Sequence, residues 1–585
     1  MKRTKLFLLL AAWLMAMPLM ITSCGDDDPF EEEEEEEQPT PDNPNPSNPD
    51  KPNPSTPDNP NPSNPDNPKT ALFENPLSKS EYTIIFYGHG GGDLDASILS
   101  NIDDIFNGNK SSYDKVHATV MYKMSSKQAL LEGIEAEDFE EDLDVDKYGH
   151  ATFRFVVDQE IGFDAMTDDY FDEVAMPDRD IDIASPSTLT SYIQWAMEKA
   201  PAEKYILVIS DHGGGYSPED DLPMNSPSLS KGLVYDDGAN HDHLTAEKIV
   251  KSVQDAGLRP EVIYLDACLM NTIEYQYELK DLANYLVLST FSVPGPGGNY
   301  VTLVNELAKN SNIETALANF CKATVKDWDE FEDEESGMRY TYSDISVIRT
   351  ANIDAFGNLW KDFTDQLIAA YQSGDKKAKA AIDRVTSKMM PMECAFPLYD
   401  MNYFAKKVIE SIPSYFDETL AKDLENAYND YITYRQASKD LEKFGYKIGT
   451  SILFGCNNHY TSFSWAEDEE TGEQFLDGYV TYEADGRMLF FENDGTQYDQ
   501  DNWNGTFNNT YKQLKFDQLT HWSDWLEINE QEADAYSASG LFYEITADGF
   551  EPVEYEDDDD YDDDDYDDDY DDDDYDDDDD YYDYK

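Results

Sequence analysis

Apolar residues along the middle of the chain come in short unbroken runs separated by longer stretches of helical periodicity. Tyr82–Tyr87, Val116–Tyr122, Thr152–Val157, Tyr205–Ser210, Val262–Asp266 and Tyr285–Ser289 read as strands. Leu94–Phe106, Ser187–Ala200, Thr245–Ala256 and Thr272–Leu279 repeat their apolar positions at three and four residues, with Ser or Thr near several starts, and read as helices. Continuous apolar strands alternating with helices predict an α/β fold: a mostly parallel sheet covered by helices on both faces. A strand is expected at Asp344–Arg349, helices at Ala355–Tyr371 and Leu398–Glu410, and a strand at Lys447–Phe454. The stretch to about residue 550, rich in Tyr, Trp and polar turns, predicts an additional C-terminal α+β region packed on the first.

The flanks break this pattern. Residues 38–69 are mostly Pro, Asn, Asp and Ser, and the ten-residue stretch from Pro41 recurs from Pro57. With almost nothing apolar to bury, such a segment cannot offset its ordering entropy, and it reads as a stalk in extended polyproline-like conformations. From Glu551 to Lys585 roughly 24 acids alternate with Tyr, which predicts a tail kept disordered by like-charge repulsion. The expected organisation is therefore leader 1–23, stalk 24–69, catalytic domain 70–350, C-terminal region 351–550 and tail 551–585.

Charge narrows the partners. The net charge of −83 over 585 residues is concentrated in the flanks, yet near −50 remains for the body. Phosphate backbones would be repelled, so nucleic acid is excluded as a partner. The five cysteines are widely spaced, with no CxxC metal pattern and no dense disulfide framework, and no metal or other cofactor is expected.

Two strand ends carry the chemistry. The run Tyr205–Ile209 closes on Ser210-Asp211-His212-Gly213, and 56 positions after His212 the run ending at Leu265 closes on Asp266-Ala267-Cys268. Open α/β sheets build their sites at the carboxyl ends of strands. A thiol attacks as thiolate, and a neighbouring imidazole is its usual activator. Cys268 is therefore the candidate nucleophile and His212 the candidate general base and acid. The backbone N–H groups of Gly213 and Cys268 are expected to form an oxyanion hole. A helix beginning near Asn271 is expected to favour the thiolate through its dipole.

Asp211-His212-Gly213 with Leu265-Asp266-Ala267-Cys268 resembles the clostripain family of cysteine peptidases, in the wider group with caspases, gingipains and legumains. The resemblance runs from about Tyr82 to Asn529. It takes in Gly92-Asp93-Leu94, Gly232-Leu233, Leu244-Thr245, Pro294-Gly295-Pro296-Gly297, Leu514-Lys515-Phe516 and Trp522-Ser523-Asp524-Trp525-Leu526. It implies a caspase-like fold, peptide or protein substrates, and Asp266 beside the pocket for the residue preceding the cleaved bond. Self-cleavage in the loop after the His strand is also implied, here within Ser217–Lys231 and ending at Lys231. Family members that prefer Arg or Lys usually carry acids and a Gly-Trp in the loop that here reads Ser289–Tyr300. This loop has no carboxylate, and Gly298 stands where Trp is common, so Asp266 alone is left to select a basic side chain. A binding or adhesion protein on a retained peptidase scaffold is the competing reading.

The N-terminus sets the address. Lys2, Arg3 and Lys5 precede an apolar stretch, Leu6–Met20, too short for a comfortable membrane span. It ends in Ile21-Thr22-Ser23-Cys24, which resembles the lipobox of bacterial lipoproteins, with Cys24 acylated. Gly25-Asp26-Asp27-Asp28 resembles the surface-export signal of Bacteroidetes lipoproteins. An outer-membrane, surface-exposed lipoprotein is expected, membrane-bound through that anchor and monomeric.

Other features are weaker. Tyr87–Gly92 resembles the His212 segment, and His89 reads as incidental to a turn. Asp236, Asp237, His241 and His243 have irregular spacing and read as a solvated loop. Ser210 lacks a Gly-x-Ser-x-Gly context. Cys321, Cys394 and Cys456 read as buried thiols.

Overall fold

A computed structural model describes residues 75–92, 94–126, 148–157, 174–176, 181–216, 233–236, 243–310, 312–331, 342–386, 398–439, 441–444, 449–454, 461–467, 474–482, 488–492, 511–528, 542–546 and 549–553. The strands that position the site are β1 (Ser80–His89), β2 (Val116–Lys123), β3 (Thr152–Val156), β4 (Ala202–Ser210), β5 (Leu233–Tyr235), β6 (His243–Leu244), β7 (Val262–Asp266), β8 (Tyr285–Leu288), β9 (Asp344–Arg349), β10 (Leu398–Asp400), β11 (Ile432–Ala437) and β12 (Ser451–Leu453). Eight of them form one sheet in the order β11-β9-β8-β7-β4-β1-β2-β3. The run β2-β1-β4-β7-β8 is parallel, and β3, β9 and β11 add antiparallel edges.

The chain leaves β1 for β2 on one side and later returns to β4 on the other. This reversal opens a crevice above the carboxyl ends of β1 and β4.

Buried alternation explains the two helical layers. Ile84, Phe86, Ile206, Val208, Val262 and Tyr264 point to one face, and Ile85, Tyr87, Leu207, Ile209, Ile263 and Leu265 to the other. The first face is covered by α1 (Asp95–Ser112). The second carries α2 (Pro186–Lys199), α3 (Ala246–Ala256) and α4 (Ile273–Leu279). On the first face α1 is joined by α5 (Tyr300–Lys309) and α6 (Ile313–Glu330). The second face is completed by α7 (Ile353–Gln372), α8 (Lys376–Thr386), α9 (Met401–Ser411), α10 (Leu420–Tyr431), α11 (Lys515–Thr520) and α12 (Trp522–Ile528).

Helix starts follow their caps. Ser185, Thr245, Thr272, Asn299 and Asn312 each accept a backbone N–H of their own first turn.

The late helices share the central core. Trp522 packs its ring 5.5–6.3 Å from those of Trp360, Phe404 and Trp525 in the apolar layer that also holds Leu207 and Leu265. Strand β11 is an edge of the main sheet, so the described residues beyond 351 build part of the central layers.

Several expectations shift at their ends. α1 runs on to Ser112, because Ile105, Phe106 and the close-packed Gly108 and Asn109 keep its buried face continuous. The helix expected from Leu398 starts at Met401. Leu398–Asp400 instead pairs with β12, and the Asp400 side chain accepts the Tyr403 N–H at 2.6 Å to begin α9. Helices α5, α6, α8, α10, α11 and α12 and strands β5, β6, β10 and β11 go beyond the sequence reading. In α6 the buried stripe is diluted by Ala316, Cys321 and Thr324.

Candidate functional site

Sheet register places the two candidate reactive residues side by side. Ser210 of β4 pairs with Asp266 of β7. His212 and Cys268 each follow two residues beyond that pair, just past the ends of the two strands. Both line one cavity together with Asp211 and Asp266.

The backbone around Cys268 is tied down from the neighbouring strand. Leu269 takes φ +64°, its N–H donates to Phe291 O at 3.2 Å, and the Asn271 N–H donates to Ser289 O at 2.8 Å. Thr290 is held in turn by the buried Asp344, which accepts its backbone N–H at 2.8 Å and pairs with Arg435 at 3.3 Å. This chain of contacts delivers the Val293 N–H to Cys268 Sγ at 3.3 Å. A backbone donor is therefore aimed at the sulfur.

The helix expected near Asn271 begins instead at Ile273, capped by Thr272, and is seven residues long. Met270 and Asn271 are spent in the connection to β8, so Cys268 is not at a helix start. Val293 supplies the polar support that the dipole was expected to give.

Gly213 packs against Cys268. A Cβ built on it would lie 2.4 Å from the Cys268 carbonyl oxygen and 2.9 Å from Ala267 Cβ, so only glycine fits. It bridges to Leu233 of β5.

Asp266 lines the cavity at 5% exposure. It accepts from Tyr264 Oη at 2.6 Å, Tyr300 Oη at 2.6 Å and Gly298 N–H at 3.2 Å. Burial pushes its carboxyl up, and those three donors pull it part of the way back. At Gly298 an added Cβ would come within 2.7 Å of Tyr264 Oη, so the tyrosine that holds Asp266 fills the space a larger residue would need.

His89 is not incidental to a turn, which corrects the sequence reading. Strand β1 continues through it, pairing it with Lys123, and its side chain is fully buried. Its Nδ1 lies 3.5 Å from Asp211 Oδ2, while Asp211 Oδ1 accepts the His212 N–H at 2.6 Å. The loop after it also reaches the imidazole. Gly91 has φ +58°, and a Cβ there would lie 2.3 Å from Asp211 Oδ1 and 2.7 Å from His212 Cδ2.

Asp236 is likewise not part of a solvated loop. It is fully buried, with Lys123 Nζ at 2.6 Å on one oxygen and the Ile183 N–H at 2.7 Å on the other. Burial pushes its carboxyl up, but His89, Lys123 and the Ile183 N–H outweigh that and hold it below the usual range. Among the described residues no group of three His, Cys, Asp or Glu is arranged to hold a metal ion.

Cys321 is a buried free thiol on α6. Cys24, Lys231, Asp237, His241, Cys394 and Cys456 lie outside the described residues, as does all of Ser217–Lys231. The residues missed by sequence reasoning are Ser97 and Asn101 of α1 and Val293, all lining the cavity. A polar pair four apart on the otherwise apolar face of Leu94 and Ile98 was the signal available.

A thiol and an imidazole at adjacent carboxyl ends of a parallel sheet, with a backbone donor on the sulfur, define the class of cysteine peptidases. The clostripain family model matches residues 94–527, and the chain belongs to that family. Clostripain of Hathewaya histolytica is 24% identical over 246 residues, covering 39% of this chain and 42% of the relative, so the chain spans under half the length of that curated protein. Among solved structures, a secreted cysteine protease from Bacteroides thetaiotaomicron aligns with 76% of this chain and 100% of its own, at 14% identity and a TM-score of 0.46. An inactive zymogen protease from Parabacteroides distasonis aligns over 76% and 99%, at 13% identity and a TM-score of 0.42.

Proposed function

We propose that this chain is a cysteine endopeptidase working through an acyl-enzyme. Cys268 Sγ attacks the scissile carbonyl carbon, and His212 takes the thiol proton and returns it to the leaving amine. Water then attacks the thioester, losing a proton to His212, and releases the acid product with the free thiol. The backbone of Gly213 and Cys268 lies beside the tetrahedral oxygen. The observation that carries this reading is the shared cavity of Cys268 and His212 with the Val293 N–H on the sulfur. Incubating wild type and Cys268→Ala with a diverse peptide library tests it. Cleavage by wild type alone supports the reading, and equal background cleavage by both defeats it.

The finer reading is cleavage after Arg or Lys. It is supported by Asp266, a buried cavity carboxylate whose hydrogen-bond donors are all uncharged. Anchoring at Cys24, with the body carried on the Pro/Asn-rich stalk at the outer surface of the cell, is supported by the leader sequence. Protease shaving of intact cells that leaves the body uncut would place it inside. Maturation at Lys231 is supported by the polar loop ending there, and an intact single chain in fully active protein would refute it.

A further inference from the structure

Among the polar side chains of the cavity that the reaction does not use, Asn101 lies nearest to Asp266 across the Gly297 turn. Asn101 is only 3% exposed, yet among the described residues its carboxamide has no hydrogen-bond partner, and it lines the cavity with Cys268 and Asp266. The carboxamide opens on the cavity instead of being sealed in the core, so it is placed to meet a ligand.

Its surroundings identify what that ligand is. A Cβ built on Gly297 would lie 2.6 Å from Asn101 Nδ2 and 3.2 Å from Asp266 Oδ2, so the carboxamide and the carboxylate converge on one point of the loop. Asp266 Oδ2 receives two donors and Oδ1 only one, which leaves an acceptor position on Oδ1. Leu94, Ile98 and Val293 supply apolar wall on the way in, and Ser97 adds a hydroxyl one helical turn from Asn101. Apolar walls leading to a carboxylate and an amide suit a side chain with a methylene stem and a head bearing several donors.

We propose that Asn101 is a specificity-determining residue, whose carboxamide oxygen accepts a hydrogen bond from the ammonium or guanidinium of the residue preceding the cleaved bond, beside Asp266. The proposal rests on the basic preference set out above. It restores through α1 the second polar anchor that the Ser289–Tyr300 loop lacks.

The test uses the full chain and peptides identical except for Arg, Lys, Gln or Leu before the cleaved bond, with active sites counted by iodoacetamide titration of Cys268. Asn101→Leu is expected to lower the ratio of kcat/KM for Arg and Lys over Leu by about 10-fold, the usual scale for a hydrogen bond to a charged group. Asn101→Asp is expected to raise that ratio, an opposite sign that a merely structural role does not produce. Equal losses on all four peptides, or unchanged ratios in both variants, overturn the assignment of Asn101 while leaving the peptidase intact. A wild type that cleaves without favouring Arg or Lys overturns the basic preference and this proposal with it. A wild type that cleaves nothing refutes the peptidase reading itself.

Discussion

Glu274 offers a quantitative check on how the segment after Cys268 is held. It lies on α4, is fully buried, and accepts the Leu453 N–H at 3.0 Å and Tyr511 Oη at 2.8 Å on the same oxygen. Its other oxygen has no hydrogen-bond partner among the described residues. Burial pushes its carboxyl up from 4.5 to about 7, with the Leu453 N–H and Tyr511 opposing.

An acid with a raised folded pKa releases its proton first in the unfolded chain. Stability therefore falls as pH rises from 4.5 to about 7 and levels off above. Each tenfold change in proton affinity is worth about 1.4 kcal/mol, so ionised Glu274 costs the fold about 3 kcal/mol. Glu274→Gln keeps the shape and the acceptor oxygen but cannot ionise. Its advantage over wild type is expected to be about 2.5 kcal/mol larger at pH 8 than at pH 5. Urea unfolding at the two pH values, with equal m-values, measures this directly. The same difference at both pH values, or a larger advantage at pH 5, would refute the reasoning.

Two further perturbations follow from the buried contacts beneath the site. Lys123→Met leaves Asp236 as an uncompensated buried carboxylate and is expected to destabilise the fold by about 3–5 kcal/mol. Thermal unfolding reads this, and an unchanged Tm would show the pair to be dispensable. Gly91→Ala places a methyl group 2.7 Å from His212 Cδ2 at a backbone φ of +58°, and misplacing the imidazole is expected to lower kcat about 100-fold. Steady-state kinetics with Cys268 sites titrated in parallel test it, and wild-type kcat would show that the loop does not set the imidazole position.

Much of this arrangement is legible along the chain where a contact is made within one element. Strands β4 and β7 announce themselves as apolar runs, and the residues that follow them are at once the candidate pair. His89 is the instructive failure. Glycines surround it, so local composition says turn, whereas β1 keeps its ladder to the end, pairing Gly88 with Ser210 and His89 with Lys123. Asn101 and Val293 fail for a different reason. They reach Cys268 from 167 residues before and 25 after, and only the sheet order that sets α1 above β7 brings them to one cavity. The start of α5 belongs with them, since Asn299 acts as a cap only once the loop from β8 has crossed back over Asp266.

On the proposed reading, the period of a strand also puts reaction and selection in different layers. On β7, Tyr264 and Asp266 share one side of the pleat and Leu265 and Ala267 the other. Tyr264 belongs to the layer of α1, α5 and α6, which contributes Tyr300 to the same carboxylate. Leu265 and Ala267 belong to the opposite layer, which carries α3 and α4 and fixes the backbone around the thiol. A register slip of one residue would send Asp266 into that opposite core and strand it without Tyr300 or Asn101. The full burial of β7, and of β4 from Ile206 and β8 from Leu286 onward, forbids the slip. If the proposed role of Asn101 holds, substitutions on α1 are expected to change which side chain is accepted while the thiol and imidazole stay where their strand ends hold them.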